Sequence, residues 1–487
     1  PFFIEDERKK EDMMKEYAIV GSGIGGSAAA ALLTHRGHDT LLLEKEPYLG
    51  GCSSTFTHGG YRYNTGATTF AGYEEGHRVK ELFDTLGRTP QLIETDPTLV
   101  VLQNDREIFR YRDIDRFLPE VDGVFPHPKN EAFWLLVHEI NKSFYTMNDH
   151  YYSDRSLLRK LRSLGSFMPM LYRFRAYLSV NAEHYIKSYF GTISPDYLAF
   201  MEAQVLIVTQ APLSEINFFT AALALGYTFN KNHYVLGGMG HLFDLLGEGV
   251  DIRTSTAVTR IERMSDRYLL HTAKDIYETK NVVMNSTVFD AKRVFDDHTV
   301  HAYYDRYTPL NNYQSAFVLY MTVKTDRAFH HHYQIIEENP FQHTLSNALF
   351  VSFSDAADDT IAPKGHYSVT ASVHTDLRWW SKEQRQRYKD QKAALQSRLI
   401  QLICDKLNLS KDEIVHAFSA TPSTFGRYIL RNQLGGNAMI MHNLVYRLPS
   451  NDTPVKGLYH VGDSVYPAQG WPGVVMGVNN FMRVIDD

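Results

Sequence analysis

The sequence predicts an α/β fold: a discontinuous dinucleotide-binding domain in three segments, with an α+β domain inserted between them. Three observations carry this. Residues 17–45 run strand, glycine turn, small-residue helix, strand. Glycine-rich turns leading into helices return at 237–247 and 458–485. Between them, 111–230 is rich in Leu, Phe, Tyr and Arg and reads as mostly helical, and 312–375 reads as several longer strands.

The first segment opens on the strand Tyr17-Ala18-Ile19-Val20 and the turn Gly21-Ser22-Gly23-Ile24-Gly25-Gly26. Gly21 permits the tight turn, Gly23 lets backbone approach a pyrophosphate, and Gly26 lets the helix pack on the sheet. The helix start offers free N–H groups and a positive dipole end to phosphates. Thr40-Leu41-Leu42-Leu43 is the second strand, and Glu44 and Lys45 close it. A carboxylate there accepts ribose hydroxyls, which favours FAD or NAD over NADP.

Four more motifs follow in chain order. Leu49-Gly50-Gly51-Cys52-Ser53-Ser54 offers a second close backbone approach. Tyr61-Arg62-Tyr63-Asn64-Thr65-Gly66-Ala67-Thr68-Thr69 places small residues that lie flat against a ring. Gly457-Leu458-Tyr459-His460-Val461-Gly462-Asp463-Ser464 is a strand ending on a carboxylate suited to a ribityl hydroxyl. Gln469-Gly470-Trp471-Pro472-Gly473-Val474 opens the last helix, whose dipole would stabilise negative charge on a reduced flavin. The expected division is 14–105, 235–300 and 415–487 for the FAD-binding domain and 106–234 and 301–414 for the substrate domain. Residues 1–13 are expected to be a leader or disordered, with Met14 a natural start.

The chain has 487 residues, a net charge of −6 and two cysteines, Cys52 and Cys404. The length suits two or three domains. The charge argues against a nucleic-acid partner. The cysteines form no C-x-x-C pair, which argues against a cluster or zinc site and fits a reducing compartment. An aromatic content of 13% suits a large core or a pocket for a long apolar ligand. No run of 18 apolar residues marks a spanning helix.

In this order the motifs resemble the flavin amine-oxidase superfamily, within it the branch of phytoene desaturases, carotenoid isomerases and retinol saturases. The resemblance runs from about Tyr17 to the C-terminus and is weakest in the middle. Gly462-Asp463-Ser464 with Gly470-Trp471-Pro472-Gly473 is its most specific part. It also covers Tyr234–Gly240, Ala362-Pro363-Lys364-Gly365 and Thr421–Tyr428, and it implies that the backbone at Val258 touches an adenine. The resemblance further implies FAD as cofactor, hydride exchange with flavin N5, and a polyene or isoprenoid substrate. Desaturation or isomerisation ranks first, with saturase-like reduction of a C=C bond close behind. An amine oxidase acting on a small polar substrate, and a flavin- or lipid-binding protein without turnover, are the alternatives. Three departures stand out. Cys52 follows the glycine doublet where desaturases often carry arginine, Asn64 stands where Asp is frequent, and Trp471 is bulkier than expected, so it would shape the pocket near the flavin ring.

No general base stands out, so the catalytic residues stay unassigned. His330-His331-His332 alternate faces on a strand and cannot all bind one ion, so no metal is expected. Cys52 reads as a small residue packed by the flavin rather than a redox thiol. Residues 155–178 interleave Arg and Lys with Leu, Phe, Met and Tyr, with no acid. That suits a segment lying in a membrane interface, or a helical pair with a solvated basic face. The expected location is cytoplasmic, peripheral on a membrane; oligomeric state stays open.

Overall fold

The computed structural model describes residues 14–147, 149–383, 385–441, 447–467 and 469–487. The expected leader 1–13 lies outside the described residues.

Lys15–Val20 sits inside a seven-stranded sheet. It pairs in parallel with Thr40–Leu43 on one side and Ile276–Met284 on the other. Asp251–Arg253 extends the sheet beyond Thr40–Leu43, and Leu458–His460 joins Ile276–Met284 in parallel. Tyr268–His271 and Arg260–Arg263 finish it antiparallel. Parallel strands are covered on both faces, which is why all of Thr40–Leu43 is buried. One cover is the helix Ile24–His35, whose alanine run is buried and which packs on the C-terminal helix Gly470–Ile485. A Cβ on Gly26 would sit 2.0 Å from the Gly21 carbonyl oxygen, so only glycine allows this helix to leave the turn so closely.

A second seven-stranded sheet runs in the order Ile414–Ala420, Gln314–Lys324, His366–Asp376, Ala348–Phe353, His332–Ile336, Leu99–Gln103, Arg106–Arg110. It is antiparallel except where Leu99–Gln103 meets His332–Ile336. A hairpin straddles the boundary expected at 105 and one strand spans that expected at 415. Leu99–Gln103 forms a hairpin with Arg106–Arg110 through Asn104 and Asp105, at φ 49° and 58°, so the two strands stay in one sheet. Ile414–Ala420 is hydrogen-bonded to Gln314–Lys324.

Six helices between Ile114 and Leu225 pack beside this sheet. Their core is aromatic: Phe117, Phe133, Trp134, Phe200 and Phe218 are fully buried. Much of the aromatic content is therefore core. Among the described residues no helix is long and apolar enough to cross a membrane.

Candidate functional site

One cavity of about 1300 Å³ reaches from the carboxyl ends of the first sheet's parallel strands to the inner side of the helical layer. Gly21–Gly25, Glu44, Lys45, Gly50–Ser53, Gly66–Thr69, Val258, Gly462, Asp463 and Gly470–Val474 all line it. Gly26 does not; its place is between helix and sheet. A crevice at the carboxyl ends of parallel strands is where open α/β sheets bind ligands.

Ser22 and Asn285 organise the glycine end. Glu44 Oε2 accepts from Ser22 N at 2.8 Å and Ser22 Oγ at 2.6 Å, while Oε1 accepts from Glu46 N at 2.9 Å. Three of about four acceptor positions on the carboxylate are thus taken, and its orientation is fixed. Gly50 N donates to Ser22 O, which ties the doublet to the first turn. Asn285, one residue beyond the strand Ile276–Met284, donates through Nδ2 to Gly21 O at 3.2 Å. A Cβ on Gly25 would sit 2.7 Å from Gly462 N, so the first and last glycine motifs meet backbone to backbone. Two helix N-termini line the cavity, those of Ile24–His35 and Gly470–Ile485, and neither has a side-chain cap. Their first N–H groups are left for a ligand.

The carboxylate of Asp463 is held by Arg431, whose Nη1 donates to Oδ1 at 3.1 Å and Oδ2 at 3.0 Å. Burial pushes the Cys52 thiol up, against the opposing field of Arg431, so the thiol stays protonated near neutral pH. Thr68 Oγ1 pairs with Ser352 Oγ at 2.7 Å and Thr69 Oγ1 with His332 Nε2 at 3.1 Å, which pins this small-residue loop to the second sheet. Trp471 borders the cavity, but its indole is only 3% exposed and packs on Phe70, Phe83 and Phe243.

The other end of the cavity is mainly apolar, with Phe167, Met170, Leu206, Phe219, Leu223 and Phe350 among its lining. The helix Leu157–Leu178 covers it. His374 also lines it, and burial alone pushes that imidazole down to about 4, so it is neutral near pH 7. Of the histidine triplet, His331 faces Asp355 at 3.2 Å and His332 faces Thr69. Among the described residues no three His, Cys, Asp or Glu converge as metal ligands. Sequence reasoning missed Arg431, Asn285 and the apolar lining. Asn285 was detectable as the polar residue ending a buried strand; Arg431 follows a short helix with no motif around it.

Residues 19–86 match the NAD(P)-binding Rossmann-like domain. The chain is 26% identical over 493 residues to prolycopene isomerase 2, chloroplastic, of an Oncidium hybrid cultivar, covering 95% of this chain and 83% of that protein. It is 25% identical over 514 residues to carotenoid 3,4-desaturase of Haloarcula japonica, covering 97% and 98% of the two chains. Among solved structures, a putrescine oxidase mutant superposes with a TM-score of 0.64 at 14% identity, covering 97% of this chain and 98% of that one. With the strand order and the glycine motifs, these likenesses lead to one conclusion: the chain is an oxidoreductase, similar over nearly its whole length to carotenoid isomerases and desaturases and sharing its fold with flavin amine oxidases.

Proposed function

We propose that the protein binds FAD and acts on a long apolar polyene or isoprenoid, by desaturation or isomerisation, with C=C reduction as the next reading. The observation that carries this is the continuity of a single cavity. Its glycine-lined end has two uncapped helix N-termini and a fixed carboxylate, and its far end is apolar. The volume exceeds that of most small-ligand pockets, roughly 300–1,000 Å³, as a dinucleotide plus a long ligand requires. The names of the carotenoid-acting relatives point to the same substrate class. A small polar amine would gain little from this lining.

In this reading Gly21–Gly25, Gly50, Gly51 and Gly462 let backbone approach the cofactor, and Glu44 holds its ribose. Val258 faces the adenine, Gly66–Thr69 lie against the flavin ring, and the helix starting at Gly470 stabilises negative charge on it. Bound FAD would supply hydride exchange at its N5. The chain's own part is to exclude water, to align a carbon–carbon bond and to hold charge. The first sheet and its loops form the cofactor-binding part; the second sheet and the helices form the substrate part.

We further propose that the helix Leu157–Leu178 rests on a membrane surface. Leu157, Leu158, Leu161, Leu164, Met168 and Tyr172 on it are exposed, while Phe167 and Met170 reach the cavity. A lipid substrate would then pass from bilayer to chamber beside this helix.

The test is an organic extract of freshly purified protein, taken with its visible spectrum. A flavin band with a co-purified polyene or isoprenoid is expected. A flavin band that no apolar substrate perturbs, but a polar amine does, would favour the oxidase reading. No flavin after FAD is added would overturn the proposal.

A further inference from the structure

The glycine doublet is followed by Cys52, an uncharged side chain on the wall that faces the phosphates in the proposed cofactor site. A pyrophosphate carries two negative charges, and Asp463 sets a third on the same wall. Helix N-termini supply only partial charges against these. A full positive charge nearby would offset them.

Four cationic side chains of lysine or arginine line the cavity: Lys45, Lys160, Arg293 and Arg431. Lys45 is paired with Glu46. Lys160 stands on the exposed side of its helix. Arg293 is 62% exposed and bound to Asp290 at 2.8 Å. Arg431 differs from all three. Its side chain is only 14% exposed, Nη1 grips Asp463, and Nε donates to Gln433 O at 2.8 Å. Its Nη2 is buried with no hydrogen-bond partner. Leaving a guanidinium nitrogen buried and unpaired is costly unless a ligand completes it.

The loop bearing Arg431 is locked onto the Gly462-Asp463 turn. Asn437 Nδ2 donates to Ser464 O at 2.6 Å, and a Cβ on Gly436, at φ 75°, would sit 2.3 Å from Asp463 O. Arg431 also lies within the electrostatic field of Cys52, which faces it from the doublet, and of Asp290.

We propose that Arg431 is the phosphate-binding cation of the cofactor site, taking from a distant loop the place that Cys52 leaves without charge. The inference rests on the FAD reading above. Nη1 neutralises Asp463, and Nη2, which has no partner within the protein, turns to donate to a phosphate oxygen in a charge-assisted bond. The same residue thereby lets a carboxylate and a pyrophosphate share one wall.

The test is titration of apo-protein with FAD and, separately, with riboflavin, which lacks phosphate, by flavin fluorescence. Arg431→Gln should weaken FAD binding about 10- to 100-fold and riboflavin binding far less. Cys52→Arg in the Arg431→Gln background should recover at least about tenfold of the loss, because it returns charge to the same wall. Should Arg431→Gln not fold, Arg431→Lys gives the comparison; it keeps the charge but has one nitrogen to serve both Asp463 and the phosphate, and should lose about 3- to 10-fold for FAD alone. FAD affinity within twofold of wild type, or equal losses for FAD and riboflavin, would overturn the role of Arg431 while leaving the FAD reading intact. Wild-type protein that binds neither ligand would overturn the FAD reading itself.

Discussion

The carboxylate of Glu44 joins two strand ends: it closes the second strand and accepts from the backbone and hydroxyl of Ser22 in the first turn. With one acceptor position left, it is pre-set for a ribose hydroxyl, and no side chain has to reorganise on binding. Glu44→Ala should weaken FAD binding by roughly 1.5–3 kcal/mol, about 10- to 100-fold, and leave riboflavin binding nearly unchanged because riboflavin has no adenosine ribose. Calorimetric titration checks this; an unchanged FAD affinity would remove Glu44 from the site. The residues around it were legible in sequence because each obeys a local rule: glycine where a turn or close approach requires it, an acid at a strand end. Arg431 obeys none. Its partner Asp463 lies 32 positions away and Cys52 lies in another segment, so only the folded chain brings the three together.

At the level of elements, the helix Leu157–Leu178 carries an exposed stripe. Leu157, Leu161, Leu164 and Met168 recur at helical spacing and are 74%, 57%, 55% and 52% exposed. The sequence shows its basic residues more plainly than this stripe, yet several of those charges are spent inside the molecule. Arg159 is bound to Asp452 at 2.6 Å, Arg162 to Asp487 and Arg173 to Glu139. Among the described residues Lys160 and Arg175 of this helix have no acidic partner. Apolar contact therefore outweighs charge in any membrane binding through this face. Leu157→Glu with Leu161→Glu should weaken vesicle co-sedimentation at least about 100-fold, since each leucine transfer is worth roughly 1.5–3 kcal/mol, with flavin content unchanged. Neutral phosphatidylcholine vesicles should retain most of the wild-type binding. A strict need for anionic lipid would show that the charges dominate instead. The hairpin Leu99–Arg110 shows the reverse case. The Asn104-Asp105 turn is set by local geometry, but which sheet its strands join depends on pairing with His332–Ile336, more than 200 residues on.

For the molecule as a whole, the two sheets were legible as two kinds of pattern: βαβ with glycine turns for one, long apolar strands for the other. The cavity between them was not, because it is bounded by residues from Val20 to Met476 and belongs to no single segment. Burial at this scale also sets a pH limit. His332 and His374 lie in strands of the second sheet and His460 in the first. Burial foremost pushes them down to about 3, about 4 and about 4 respectively. Unfolded, each returns to roughly 6.5. The unfolded chain therefore binds more protons throughout the interval, so their contribution is complete above about pH 6.5 and is lost as pH falls toward 4. At pH 5 the loss is on the order of 2 kcal/mol per histidine. Urea unfolding followed by tryptophan fluorescence should show a midpoint well below its pH 7 value at pH 5. His460 Nε2 is 2.7 Å from Ser286 O, and a glutamine amide keeps a donor for that carbonyl without a titrating group. In His460→Gln the difference in stability between pH 7 and pH 5 should shrink by about 2 kcal/mol, whatever the substitution does to stability at pH 7. A variant that keeps the full wild-type pH dependence would show that His460 takes up its proton without unfolding the sheet around it.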